Sequence, residues 1–131
     1  GSIRAPQWKG GGVVFAPVPR DYSKKMNKKE KQAAIRGVLT SRVEEEKFIV
    51  LDELALPEIR TKAVKAVLDN LKVNKALIVT KEKDETVVRS ANNLPKVKTT
   101  PVNSINVYDM LKYENVVITK EAVLAIEEVF A

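Results

Sequence analysis

The sequence predicts a three-layer α/β domain on a four-stranded parallel sheet, preceded by an extended basic arm, and three observations carry that prediction. Short apolar runs without polar alternation recur after residue 47, as expected of strands buried on both faces. Stretches of helical periodicity separate them, so each strand returns through a helix to a parallel neighbour. Residues 1–26 hold four of the five Gly and three of the six Pro, a composition unsuited to packed regular structure. The expected division is therefore an arm over 1–26 and a globular α/β body over 27–131.

In the arm, Gly10-Gly11-Gly12 cannot hold a regular element, and Pro6, Pro17 and Pro19 favour extended backbone and stop helices. Trp8, Phe15 and Tyr22 interleave with Arg4, Lys9, Arg20 and Lys24. A disordered linker normally lacks such aromatics, so the arm is expected to be mobile alone and ordered by a partner.

The first helix is expected over 28–46. Asn27 is a good N-cap, and Glu30 stands at capping-box spacing. Ile35, Val38, Leu39 and Val43 make an apolar stripe, with Lys28, Lys29, Lys31, Arg36 and Arg42 mostly on other faces. Glu44, Glu45 and Glu46 oppose the helix dipole there, as a solvated surface allows. The first strand is Phe48-Ile49-Val50-Leu51, extending to residue 52. Val64, Val67, Leu68 and Leu71 fit an amphipathic helix. Ala76-Leu77-Ile78-Val79 begins a second strand over 76–80. Val87, Val88, Ala91 and Leu94 suggest a helix closed by Pro95. A weaker strand follows at 97–101. Val107, Met110 and Leu111 suggest a helix capped near Asn103 or Asn106. Val116-Val117-Ile118 lies in a strand over 116–119, and Thr119 caps a last helix with Val123, Ile126 and Phe130.

The formal charge of +6 is unevenly placed. Residues 1–43 carry ten basic and two acidic groups, and the remainder carries thirteen basic and fifteen acidic. A basic segment beside a near-neutral body is the footprint of a polyanion binder.

Much chemistry is excluded. Without Cys there is neither a disulfide nor a thiolate site, and without His the commonest general base and metal ligand are missing. No apolar run approaches the ~20 residues of a membrane-spanning helix. Phosphate binding by an α/β sheet needs a Gly-rich turn between strand and helix, yet no Gly follows residue 37. Gly10-Gly11-Gly12 leads into Val13-Val14-Phe15 rather than a helix, so it fails the same test. Asp52 at a strand end reads as a loop cap, since a site needs convergent groups. Ser23, Ser41, Ser90 and Ser104 have no His to activate them. The run Lys81–Glu85 reads as a solvated loop. No catalytic residue, metal or cofactor is expected. The arm is different: cations for phosphate and planar side chains for unpaired bases are the ingredients of an RNA site.

The run Arg4-Ala5-Pro6-Gln7-Trp8-Lys9-Gly10-Gly11-Gly12-Val13-Val14-Phe15, followed by Pro17-Val18-Pro19-Arg20-Asp21-Tyr22, closely resembles the bacterial ribosomal protein L-four family. The same likeness continues through Phe48–Asp52, Ala76–Thr80, Arg89-Ser90-Ala91-Asn92-Asn93-Leu94-Pro95, Asn106–Asp109, Leu111–Tyr113 and Thr119–Val123. It covers essentially the whole chain.

The resemblance implies a structural constituent of the large ribosomal subunit, cytoplasmic and on the ribosome. It implies binding of large-subunit (23S-type) rRNA during assembly, beside neighbouring ribosomal proteins. Some bacterial members also repress their own operon through its messenger RNA, which is a further implied partner. It also implies the strand order 1-4-2-3. Family members carry a preceding strand, helix and outgoing loop arm with a basic tip lining the peptide exit tunnel. This sequence opens on the returning arm, so apolar surface is expected to be uncovered on the body.

Arg4, Gln7, Trp8, Lys9, Arg20, Tyr22, Lys24 and Lys25 are the expected RNA contacts. Lys28, Lys29, Arg36 and Arg42 extend them along the first helix. The competing reading is a small α/β nucleotide- or phosphate-binding enzyme, against which the missing Gly-rich turn argues.

Overall fold

The structure, a computed structural model, describes residues 1–130; Ala131, the last residue of the expected body, lies outside the described residues. Four strands form one sheet: β1 (Phe48–Leu51), β2 (Ala76–Thr80), β3 (Val97–Pro101) and β4 (Asn115–Thr119). All pairings are parallel and the order is β1-β4-β2-β3, as the resemblance implied. Composition explains who sits in the middle. The apolar side chains of β2 and β4 are buried throughout, whereas the edge strands expose Val50 and Lys98.

Successive side chains of a strand point to opposite faces, and here each face has its own core. Leu77, Val79, Val116 and Ile118 pack with Met110 and Ala122, against Ile35, Val38 and Leu39. Ala76, Ile78 and Val117 pack with Val64, Leu68, Val87 and Ala91. Helices α1 (Lys28–Glu44), α4 (Val107–Lys112) and α5 (Lys120–Phe130) therefore cover one face. Helices α2 (Thr61–Asn70) and α3 (Glu85–Ala91) cover the other. This is the expected three-layer body.

Several boundaries differ from the sequence reading. Helix α1 stops at Glu44 rather than 46, because Glu46 adopts φ 61°. The turn is closed by Glu46 N–H donating to Val43 O and Lys47 N–H to Arg42 O, a left-handed helix terminus. Asn27 makes no side-chain cap, so the capping box does not form there. Helix α3 ends at Ala91, short of Leu94, since the residue before Pro95 is driven out of helical backbone. Of the two candidate caps for α4, Asn106 is the one, its Oδ1 accepting from Asp109 N–H at 2.9 Å. Thr119 Oγ1 accepts from Ala122 N–H at the start of α5, as expected.

The apolar stripe of α1 also differs. Val43 is exposed, and Arg42 takes the inward place. Positions 35, 38, 39 and 42 are spaced i, i+3, i+4, i+7, so Arg42 completes the buried face and Val43 turns outward.

Helix α4 is tied to edge strand β3 by an ion pair. Lys98 Nζ donates to Asp109 Oδ2 at 2.8 Å, and Asn106 Nδ2 donates to the same oxygen at 3.0 Å. Burial by itself pushes the Asp109 carboxyl up. The hydrogen bonds from Lys98 and Asn106, with the charges of Lys98 and Lys112, outweigh it and leave the pKa below 3.8. The hydrogen bond to Asp109 raises the Lys98 pKa above 10.5. A depressed carboxyl contributes stability above its unfolded pKa and loses it as pH falls through the folded one. The raised amine contributes below its unfolded pKa and loses it as pH rises through the folded one. Both partners thus stabilise the body across the neutral range. Thermal melts of Asp109→Asn against pH should show a lower midpoint at pH 7 and a flatter fall below about pH 4. An acid limb identical to the wild type would mean the pair contributes nothing.

Candidate nucleic-acid interface

The Pro- and Gly-rich composition of residues 1–27 leaves them without helix or strand. Among the described residues, no hydrogen bond or ion pair ties residues 1–26 to the body, and neither core cluster includes them. The segment is not uniformly extended, however. Residues 2–12 close into consecutive turns. Ala5 N–H donates to Ser2 O (3.2 Å), Trp8 N–H to Ala5 O (3.0 Å) and Gly11 N–H to Trp8 O (2.9 Å). Gly12 N–H reaches back to Arg4 O at 2.8 Å, so the two ends of the stretch meet. Arg4, Gln7, Trp8 and Lys9 all stand exposed on this one turn cluster, and Trp8 keeps 57% of its surface open.

The next expected contacts form a second group. The Arg20 guanidinium carbon lies 4.2 Å from the centre of the Tyr22 ring, within cation–π range. Between them Asp21 Oδ1 accepts from Ser23 N–H at 2.8 Å. That bond holds the Asp21 carboxyl below the usual carboxylate range. Lys24 and Lys25 follow, exposed, and Lys28 and Lys29 occupy the first turn of α1. Arg36 is exposed farther along the helix.

Arg42 is placed elsewhere. It is 8% exposed and lies about 20 Å along α1 from Lys28, at 1.5 Å per residue. Its Nε and Nη2 donate to Met110 O at 3.1 and 3.0 Å, and Nη2 also reaches Leu111 O at 3.2 Å. These are carbonyls of the last turn of α4, which a helix leaves without internal partners. Nη1 pairs with Glu45 Oε2 at 3.2 Å. Every nitrogen of the guanidinium is engaged within the fold, so Arg42 drops out of the expected RNA surface. Its i+7 spacing from Ile35 was the signal in the sequence; the charge obscured it.

The structure also aligns cations that strand-by-strand reading did not single out. Lys47 O accepts from Val116 N–H, Lys75 O from Asn115 N–H and Lys96 O from Ala76 N–H. The three lysines therefore form a row along the edge where the strands begin. Lys75 and Lys112 each lie 5.7 Å from the Tyr113 ring. Their alignment comes from sheet register, which is invisible in linear order.

The opposite edge, beyond the carboxyl ends of the strands, holds a hollow of about 640 Å³. Asp52, Glu53, Glu82, Asp84, Glu85 and Glu121 line it against Lys81 and Lys83. This is where α/β sheets commonly take nucleotides, but its carboxylates repel phosphate. Among the described residues, no group of three or more His, Cys, Asp or Glu is placed to hold a metal ion. Ser90, rejected as a nucleophile from sequence, is buried; its Oγ donates to Thr86 O and accepts from Arg60 N–H. Among the described residues, no helix is long and apolar enough to cross a membrane.

Residues 1–129 match the sequence profile of the ribosomal protein L4/L1 family. The large ribosomal subunit protein uL4 of Lachnoclostridium phytofermentans is 65% identical over 131 residues, which is 100% of this chain and 64% of that relative. The protein of the same description from Agathobacter rectalis is 63% identical over the same shares. That of Clostridium botulinum (strain Hall) is 53% identical, again over 100% of this chain and 64% of the relative. The chain thus spans 64% of the length of the curated relatives it matches.

Proposed function

The chain belongs to the ribosomal protein L4/L1 family, and from that premise we propose that it is a non-enzymatic, structural constituent of the large ribosomal subunit that binds 23S-type rRNA through residues 1–36. The observation that carries this reading is the open display of Arg4, Gln7, Trp8, Lys9, Arg20, Tyr22, Lys24 and Lys25 on a segment not packed into the body, continued by Lys28, Lys29 and Arg36 on the exposed side of α1. Cations there meet phosphate, and Trp8 and Tyr22 offer flat faces to unpaired bases. Neighbouring ribosomal proteins are the proposed partners of the body, and the cytoplasmic ribosome is the proposed location. The messenger RNA of its own operon would compete with rRNA for the same cations. The acidic hollow disfavours the nucleotide-binding enzyme, whose phosphates would face carboxylates.

The test is a series of binding isotherms with a large-subunit rRNA transcript at three or more salt concentrations. Affinity should fall steeply with salt. Replacing Lys24 and Lys25 by Ala should weaken binding to many RNAs alike and flatten the salt slope by ~0.7 per lost phosphate contact on single strands. Salt-independent binding, or no binding at low salt, would overturn the proposal.

A further inference from the structure

We propose that residues 4–12 form a site for a single unpaired nucleotide, and that Gly11 is its positioning residue. The inference rests on the reading of this segment as RNA-binding and adds how it is shaped. The three adjacent glycines have different surroundings. Gly10 has φ +78° with open space around it. Gly12 has only ordinary contact, its nearest neighbour being Arg4 O at 3.5 Å from where a Cβ would stand. At Gly11 a Cβ would collide with the backbone oxygen of Ala5, and it would lie 2.8 Å from Ala5 C and 3.0 Å from Trp8 O. Those are main-chain atoms, so no rotamer change relieves the clash.

The clash falls on the bonds that shape the cluster. Gly11 N–H donates to Trp8 O, Trp8 N–H donates to Ala5 O, and Gly12 N–H donates to Arg4 O. A side chain at position 11 forces Ala5 away from the Trp8–Gly11 turn. It thereby separates Arg4 from Trp8 and Lys9. With the cluster closed, one planar face and two cations belong to one short loop. That combination suits a base stacked on Trp8 with its flanking phosphates near Arg4 and Lys9. A longer run of stacked bases would need more aromatics than this loop carries.

The chain's single Trp makes the site directly observable, because a stacked base quenches indole fluorescence. The experiment titrates a large-subunit rRNA transcript into wild type, Gly11→Ala, Gly12→Ala, Trp8→Ala and the Trp8→Ala/Gly11→Ala double variant at several salt concentrations, with affinity read by electrophoretic mobility for all and indole quenching for those that keep Trp8. Gly11→Ala should lose the quenching and about tenfold in affinity, comparable to the cost of fixing one further residue. Its salt slope should flatten by up to ~1.4, two phosphate contacts at ~0.7 each. Gly12→Ala should bind and quench as wild type does. The double variant should be weaker than Trp8→Ala by less than the Gly11→Ala effect alone, because both changes remove the same stack. Wild-type binding by Gly11→Ala, equal damage from Gly12→Ala, or strict additivity would each overturn the nucleotide site. Intact affinity in Trp8→Ala would overturn it too, whereas salt-independent binding or no binding by the wild type would instead overturn the RNA reading of the arm. Melting of the body should be unchanged in all variants, which separates these losses from unfolding.

Discussion

Arg42→Ala should lower the thermal midpoint by ~10 °C, about 3 kcal/mol for a domain of this size, and leave RNA affinity close to wild type. The guanidinium donates to the main-chain oxygens of Met110 and Leu111. Its loss strips the end of α4 of its donors and opens a space between α1 and α4. A charged donor in a buried place is worth more than an exposed one, since the carbonyls it leaves have no water to turn to. Arg42→Lys should recover only part of the midpoint, because an ammonium cannot reproduce the planar fork. Circular dichroism melts beside RNA isotherms check this. A normal melt with weakened RNA binding would return Arg42 to the RNA surface.

Trp8→Ala has the opposite signature. Losing a stacking platform costs ~1–3 kcal/mol per base, about 5- to 150-fold in affinity, with the salt slope nearly unchanged. The melt should not move, since Trp8 belongs to neither core cluster. A sharp drop in midpoint with intact affinity would make Trp8 a docking residue for the body instead. The two variants therefore exchange outcomes, one lowering stability and the other affinity. Measured together, they separate the folding role of α1 from the binding role of the arm.

The fold was largely legible in the sequence because the central strands β2 and β4 are apolar on both faces and β1 is a third short apolar run, while β3, with Lys98 exposed, left only a weak trace. Leu77-Ile78-Val79 and Val116-Val117-Ile118 have no polar partner to alternate with, and that marks central strands. Strand order was not legible from pattern; it came with the family resemblance, since nothing local says that β4 lies between β1 and β2. Arg42 was misjudged because residue type outweighed spacing: its charge suggested the surface while its place in the stripe assigned it to the interior. The turns of residues 2–12 were hidden for another reason. Their hydrogen bonds are backbone to backbone, and only Gly11 hints at them, through a steric need that a run of three glycines does not reveal. The lysine row at the strand starts was invisible until register was known.

The position of β4 has a consequence for how the chain matures during synthesis. Val116 and Val117 pair with Phe48 and Ile49 on one side and with Leu77 and Ile78 on the other. The middle of the sheet is therefore the last strand to leave the ribosome. Until then β2 can pair with β3, but β1 lacks the β4 neighbour of the finished sheet, and both β1 and β2 present bare apolar edges toward it. Closing the contact between β1 and β4 also carries the largest loop entropy of the three pairings. A nascent chain stopped before residue 115 holds most of its hydrophobic residues and none of the strand that joins them, the condition in which unpaired edges recruit other chains. The interval between making β1 and making β4 is when the most apolar strand edge stands unpaired.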